Sequence, residues 1–389
     1  MLANRKVLVA ITARPSYSRI RTTLQALARQ PNVTLHCLCS GAALSDVHGR
    51  VADLIRQDGF TVADECVTLV PGNEPRHMAY TTARTVELTS THLEQFRPDW
   101  VMTIADRYET LGTAVAASYM GIPLIHVQGG EITGNIDERV RHAVTKLSDI
   151  HLVANQQAAN RLMRMGEHPN SVFVTGCPSV DLAREARDLP LESVEEALSF
   201  TNQGNAINLR DDFIVVLQHA DTTEHLFSYQ HMRLTLESVR RTGLPYFIFN
   251  PNSDAGSAAV TRAVEDFLGG GDPGVYCRVN NLDGKLFLRL LSQSRCLVGN
   301  SSVGIRECAF LGTPVVNLGD RQRGRERSDN VYDCPWDAEA LDQALGKQIR
   351  SGYGSSQLYG SGYSGEHMAD IVAHLIQPRA KRFHEAVAE

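Results

Sequence analysis

The chain lacks most of the short signatures that announce a cofactor or a metal. It has no CxxC pair and no His/Cys cluster at zinc spacing. It has no HExxH and no GxxxxGK[ST], which argues against a zinc hydrolase and against ATP hydrolysis. GGGDPG at Gly269–Gly274 precedes a strand-like run instead of following one, so it reads as a loop and not as a dinucleotide fingerprint. The expectation is therefore no cofactor and no metal. No stretch is long and apolar enough to span a bilayer. The opening MLANRKVLVA has two basic residues and a short apolar run that polar TARPSY interrupts, unlike a secretory signal. A formal net charge of −6 speaks against a general nucleic-acid or membrane-surface role. The eight cysteines are scattered, several inside apolar runs (Cys37, Cys39, Cys296, Cys308), which suits buried thiols in a cytoplasmic protein. There is no short-period repeat and no low-complexity tract.

What is present is a long alternation of β-like and helical runs. RKVLVAI, VTLHCLC, DWVMTI, PLIHV, IHLVA and SVFVTG read as buried strands with helices between them, which implies a parallel sheet covered by helices. In this reading TARPSYS is a loop and the first helix runs over Arg19–Gln30. The alternation breaks between about Asp188 and Asp211, where LPLESVEEALSF is acidic and TNQGNAINLRDD polar. It restarts with DFIVVLQH, PYFIFN, GVYCRVN, CLVG and PVVNLG. The 389 residues exceed one common core. The fold class expected is α/β, with two Rossmann-like doubly wound domains facing a cleft. Residues 1–187 form the first domain and 188–365 the second. A helix within 366–389 packs back on one of them.

The stretch Cys296–Asn330 carries the clearest chemistry. A short apolar strand ends at Gly299, then Asn300, Ser301 and Ser302 lead into one helix through VGIRECAFLG. Such a turn presents unpartnered backbone N–H groups and a positive dipole end to an anion. After the next strand Arg321, Arg323, Arg325 and Arg327 crowd one loop, and arginine forks suit phosphate. The stretch reads as a seat for a diphosphate.

Other polar residues gather just past strand ends: Arg14 and Ser18 after the first strand, then Asp106, Arg107 and Glu109. Gln128, Glu131 and Asp137 follow PLIHV, His219 follows DFIVVLQ, and Asn252 and Asp254 follow PYFIFN. Ligands of doubly wound sheets sit at these ends. Asp137 also reads as an N-terminal helix carboxylate paired with Arg141 one turn on. Carboxylates, a histidine and a phosphate seat together suit acid/base chemistry on a phosphorylated metabolite.

The pieces ARPSYSRI, ADRYET, HVQGGEITGNIDERVRHAVTKLSDIH, TGCPSVD, LQHADTTEH, NPNSDAGS, GNSSVGIRECAFLGTPVVNLGDRQRGRE and SDNV resemble the hydrolysing UDP-N-acetylglucosamine 2-epimerases. The likeness extends to the bacterial sialic-acid-pathway enzymes and to the epimerase half of the animal epimerase/kinase, over about Lys6–Val331. It implies a GT-B-like fold with UDP held mainly by the second domain. It implies anti elimination of UDP to a 2-acetamidoglucal, then water addition to give free N-acetylmannosamine (ManNAc). By the same resemblance Asp106, Asp137 and His219 are catalytic, with Glu131 beside them. Arg14, Ser18, Arg107, Gln128, Asn252, Ser301, Ser302, Glu307 and Arg321 hold UDP or the sugar, and Glu307 takes the ribose. The implied partner is a UDP-sugar, and the implied assembly a homodimer or homotetramer. Four positions depart from the pattern. Ala105 replaces a glycine, Ala220 a proline, Gln128 stands where many members have a catalytic glutamate, and VNNLDGK lacks the histidine that animal relatives carry near Asn281. An amide takes no proton at neutral pH, so Gln128 positions and does not act as base. The same chemistry on a 2,4-diacetamido-trideoxy hexose, a GT-B glycosyltransferase and a nucleotide-sugar-binding regulator are the alternatives.

Overall fold

The computed structural model describes residues 4–46, 50–72, 74–133, 136–221, 225–251, 256–280, 282–378 and 381–385. Two compact units emerge. The first comprises residues 1–132, 136–181 and 360–389, the second 133–135 and 182–359. No helix among the described residues is long and apolar enough to cross a membrane. All eight cysteines are described, buried and outside any disulfide.

The first unit is a seven-stranded parallel sheet: β1 (Arg5–Ile11), β2 (Val33–Ser40), β3 (Val62–Cys66), β4 (Trp100–Ile104), β5 (Leu124–Val127), β6 (Ile150–Val153) and β7 (Val172–Val174). Its order is β3-β2-β1-β4-β5-β6-β7. The order reverses between β1 and β4, where doubly wound sheets open their ligand crevice. Central β4 is buried along its whole length, which is why its sequence is a continuous apolar run. Edge strand β3 reads VADEC and is only half-buried; that mixed pattern left it illegible beforehand.

The helix after β1 begins at Arg14 and runs to Ala28, not from Arg19. Pro15 sits in its first turn, where no N–H is needed, so the loop-like signal was a helix start. The carboxyl-terminal helix Ser364–His374 is anchored by Asp181, whose carboxylate accepts from the Ser364 and Gly365 amides at 2.9 and 2.7 Å and from Thr22 Oγ1 at 3.0 Å.

A buried charge cluster secures the far end of this unit. Glu167 accepts from Lys146 Nζ at 2.6 Å and His151 Nε2 at 2.9 Å, and pairs with Lys381 at 2.7 Å. Burial alone would raise its carboxyl, but the three donors outweigh burial and bring it from 4.5 to about 2. A depressed carboxylate stabilises the fold above its unfolded value and loses that contribution as pH falls through the folded one. Glu167→Gln is therefore expected to cost about 3 kcal/mol at neutral pH. The gap to the parent should close as pH drops from 4.5 toward about 2. Melting curves across that range test it; a deficit unchanged by pH would refute it.

The second unit holds β8 (Asn202–Gly204), β9 (Ile214–Leu217), β10 (Tyr246–Phe249), β11 (Tyr276–Val279), β12 (Cys296–Gly299), β13 (Val315–Leu318) and β14 (Val331–Cys334). They lie in the order β14-β13-β12-β9-β10-β11-β8, parallel except for the short edge strand β8. The reversal falls between β12 and β9. Gly299 ends β12 at φ 145°, and any Cβ there would collide with the Leu217 carbonyl of β9. The helix expected through VGIRECAFLG is broken at buried Arg306 into Ser302–Ile305 and Glu307–Leu311.

Candidate active site

In the first unit, Asp106 follows β4 and lies one strand from Gln128, which follows β5. Ala105 between β4 and Asp106 has φ 60°, a left-handed backbone that costs a residue with a Cβ about 1–2 kcal/mol. This is the position where the resembling pattern has glycine. The turn is held from below by His126: its Nε2 donates to the Ala105 carbonyl at 2.9 Å, and Nδ1 faces Thr145 Oγ1 at 3.3 Å. Complete burial pushes His126 down to about 3, so the ring is neutral and carries its proton on Nε2.

Asp106 is ion-paired with Arg141 Nη2, and Arg141 Nη1 donates to the Glu131 carbonyl at 2.7 Å. Arg141 is 1% exposed and Asp106 16%, so one buried guanidinium clamps the aspartate to the loop after β5. The fold pairs Arg141 with Asp106, 35 residues earlier, a contact the sequence did not suggest. Asp137 lies in the first turn of the same helix, Ile136–Leu147, and Glu131 is buried. Arg107 forms a two-pronged pair with fully buried Glu109, both contacts 3.1 Å. Arg14 and Ser18 are exposed on the first turns of their helix, where Ser18 Oγ donates to the Arg14 carbonyl at 3.1 Å.

In the second unit, Asn300 organises the switch point. Its Oδ1 accepts from the His219 amide at 2.8 Å and its Nδ2 donates to the His219 carbonyl at 2.9 Å, locking the ends of β9 and β12 together. Its own carbonyl accepts from Arg321 Nη1 at 3.3 Å and Gln322 Nε2 at 2.9 Å. Ser301 caps the Ser302–Ile305 turn by accepting from the Val303 amide, which leaves its O–H proton to give elsewhere. Burial, then the field of Arg321, push His219 down to about 3, so it is a neutral ring beside an arginine. Glu307 Oε2 is buried and accepts no hydrogen bond among the described residues.

The four loop arginines separate into different jobs. Arg321 faces the switch point. Arg323 is 78% exposed and among the described residues reaches only Asp320, Arg325 is buried, and Arg327 pairs with Asp333 at 2.7 Å. At the carboxyl ends of β9, β10 and β11, Leu217, Phe249, Asn250, Asn280 and Phe287 line a cavity of about 210 Å³. Phe249 and Phe287 meet edge to face at 4.8 Å. Asn252, with Asp254, lies outside the described residues.

Thus the carboxyl ends of each sheet carry part of the expected set: Asp106, Gln128, Glu131 and Asp137 follow β4 and β5 in one unit, and His219, Ser301, Ser302 and Arg321 follow β9, β12 and β13 in the other. The sequence reading gave Arg141, His126 and Asn300 no role in the site. A histidine inside the otherwise apolar LIHV was the one available signal for His126.

The family model for UDP-N-acetylglucosamine 2-epimerase matches residues 25–373. A UDP-N,N'-diacetylbacillosamine 2-epimerase (hydrolyzing) from Legionella pneumophila is 28% identical, with 95% of each chain covered. A UDP-N-acetylglucosamine 2-epimerase from Neisseria meningitidis is 26% identical over 88% of this chain and 86% of its own. The crystal structure of a Neisseria meningitidis UDP-GlcNAc 2-epimerase bound to UDP-GlcNAc superposes with a TM-score of 0.79 at 17% identity, covering 94% of this chain and 99% of that one. The two doubly wound units are those of this GT-B-like fold.

Proposed function

The chain belongs to the UDP-N-acetylglucosamine 2-epimerase family, and from that premise we propose that it is a hydrolysing enzyme that converts UDP-N-acetylglucosamine to ManNAc and UDP. The observation that carries the reading is the β9–β12 switch point, where Arg321, neutral His219 and the Ser301-capped turn converge through Asn300. Departure of UDP needs its growing negative charge met by donors already in place, and these residues supply them. The buried, unpartnered Glu307 oxygen suits a ribose hydroxyl, and the phenylalanine-walled cavity suits the uracil. A bound diphosphate would offset the field of Arg321 and raise His219, making it a better proton donor to the leaving group.

The carboxylates of the first unit act on the sugar. One removes the C2 proton, the C2–H electrons form the C1=C2 bond, and the C1–O electrons leave with UDP. Water then adds its oxygen at C1 and a proton at C2 from the opposite face, giving ManNAc. Asp106, oriented by Arg141, and Asp137 carry the proton steps in this scheme, with Glu131 beside them. The near-full-length similarity to a diacetylbacillosamine enzyme supports a second reading, the same reaction on a 2,4-diacetamido-trideoxy sugar.

Incubation of the purified chain with each UDP-sugar in deuterated water tests both. The expected products are UDP and free ManNAc with deuterium at C2. Deuterated 2,4-diacetamido product alone would establish the second reading. UDP-ManNAc as the product would refute hydrolysis, and UDP release with C2 hydrogen retained would refute elimination.

A further inference from the structure

Gln128 follows β5 at φ 65°, a backbone region that disfavours any residue with a Cβ. The position nonetheless keeps a long side chain, 2% exposed. Its Nε2 donates to Cys177 Sγ at 2.9 Å, and that sulfur lies 2.9 Å from Ser179 Oγ. The amide nitrogen can only donate, so the sulfur accepts from it and can pass its own S–H to the serine. Cys177 is itself fixed at the start of the helix Pro178–Arg187, where its carbonyl accepts from the Val180 amide at 2.9 Å. With its S–H given to Ser179 Oγ, the sulfur is left as an acceptor and takes the nitrogen end of the amide. Gln128 Oε1, on the opposite side, is buried with no hydrogen-bond partner among the described residues. A buried acceptor without a donor is unfavourable until something supplies one.

We propose that Cys177 is a positioning residue that holds the Gln128 amide with its carbonyl oxygen turned to the substrate sugar as a hydrogen-bond acceptor. The pair then selects a sugar that offers a neutral donor, a hydroxyl or an amide N–H, at that point. A glutamate at position 128 could exchange a proton; the thiol-held amide can only recognise one. Asp106, one strand away, stays the group that moves protons. The inference rests on the assignment of the first unit to the sugar.

The test uses the full chain with Cys177→Ala, Cys177→Ser, Gln128→Ala and the Cys177→Ala/Gln128→Ala double variant. Cys177→Ala should lower kcat/KM for the UDP-sugar about 10- to 100-fold with UDP affinity unchanged. Cys177→Ser, whose hydroxyl accepts the same bond, should recover most of the loss. The double variant should be no worse than Gln128→Ala alone, because the thiol acts only through the amide. Parent-like activity in Cys177→Ala, or losses that multiply in the double variant, would overturn the proposal. If Cys177→Ala does not fold, Cys177→Ser near the parent with Cys177→Val as poor as Gln128→Ala supports it, and equal activity of the two refutes it. If the parent converts no UDP-sugar, the functional reading fails separately. The Gln128 side-chain amide signal in glutamine-labelled protein then decides the positioning. A shift in Cys177→Ala that returns in Cys177→Ser supports it, and an unmoved signal overturns it.

Discussion

Asp106→Asn is expected to lower turnover about 1,000-fold or more, with C2 deuterium incorporation and UDP release lost together. Asparagine keeps the size and one acceptor oxygen but takes no proton. The loss should therefore lie in kcat and not in KM. The substitution also takes the Asp106 charge away from the Arg141 guanidinium. Breaking a buried pair from one side costs about 3–5 kcal/mol where both partners are fully desolvated, and Asp106 keeps 16% exposure, so the cost falls below that range. The melting temperature should thus fall along with turnover. UDP affinity separates the two effects, because the residues assigned to UDP lie in the other unit. A folded variant that binds UDP normally and turns over nothing is the expected result. A variant retaining a tenth of parental turnover would remove Asp106 from the proton steps.

Arg321→Ala should weaken UDP binding about 10- to 150-fold, the equivalent of one charge-assisted contact of about 1.5–3 kcal/mol. Arg323→Ala, two residues on, is the control. Arg323 is 78% exposed and pairs with Asp320, so UDP affinity should not move. Removing Arg321 also lifts the second of the two causes that hold His219 down, so the acid limb of any pH profile that reports His219 should move upward. Calorimetry with UDP at two salt concentrations reads the first effect. Equal affinities in the two variants would dissolve the distinction between the loop arginines and, with it, the phosphate seat.

That distinction was not available from spacing. Four arginines at alternate positions look equivalent in RQRGRER. They part company only because the chain beyond β13 turns Arg321 toward the Asn300 carbonyl and sends Arg327 to Asp333 on β14. The break at Arg306 was hidden for a similar reason. Helical periodicity runs on through SVGIRECAFL, and the bend accompanies the burial of Arg306, which a local pattern cannot foresee. The edge strands β3, β8 and β14 were invisible because an edge buries less of itself and is free to carry charge.

The sequence by itself determined the alternation of strand and helix, the two doubly wound halves and the family. It also showed where each apolar strand ends, because apolar runs stop where polar, glycine-rich turns begin and ligand sites lie at those turns. Tertiary structure decided the partners. Arg141 reaches Asp106, His126 supports the Ala105 turn, Cys177 orients Gln128, and Asn300 joins His219 to Arg321. Each of these contacts joins residues far apart in the chain. Periodicity records which face of an element is buried, but not which side chain of a neighbouring strand or helix will meet it there. That meeting is fixed by strand order and register, and in a parallel sheet the order is set by crossovers whose direction the residues within each strand do not encode.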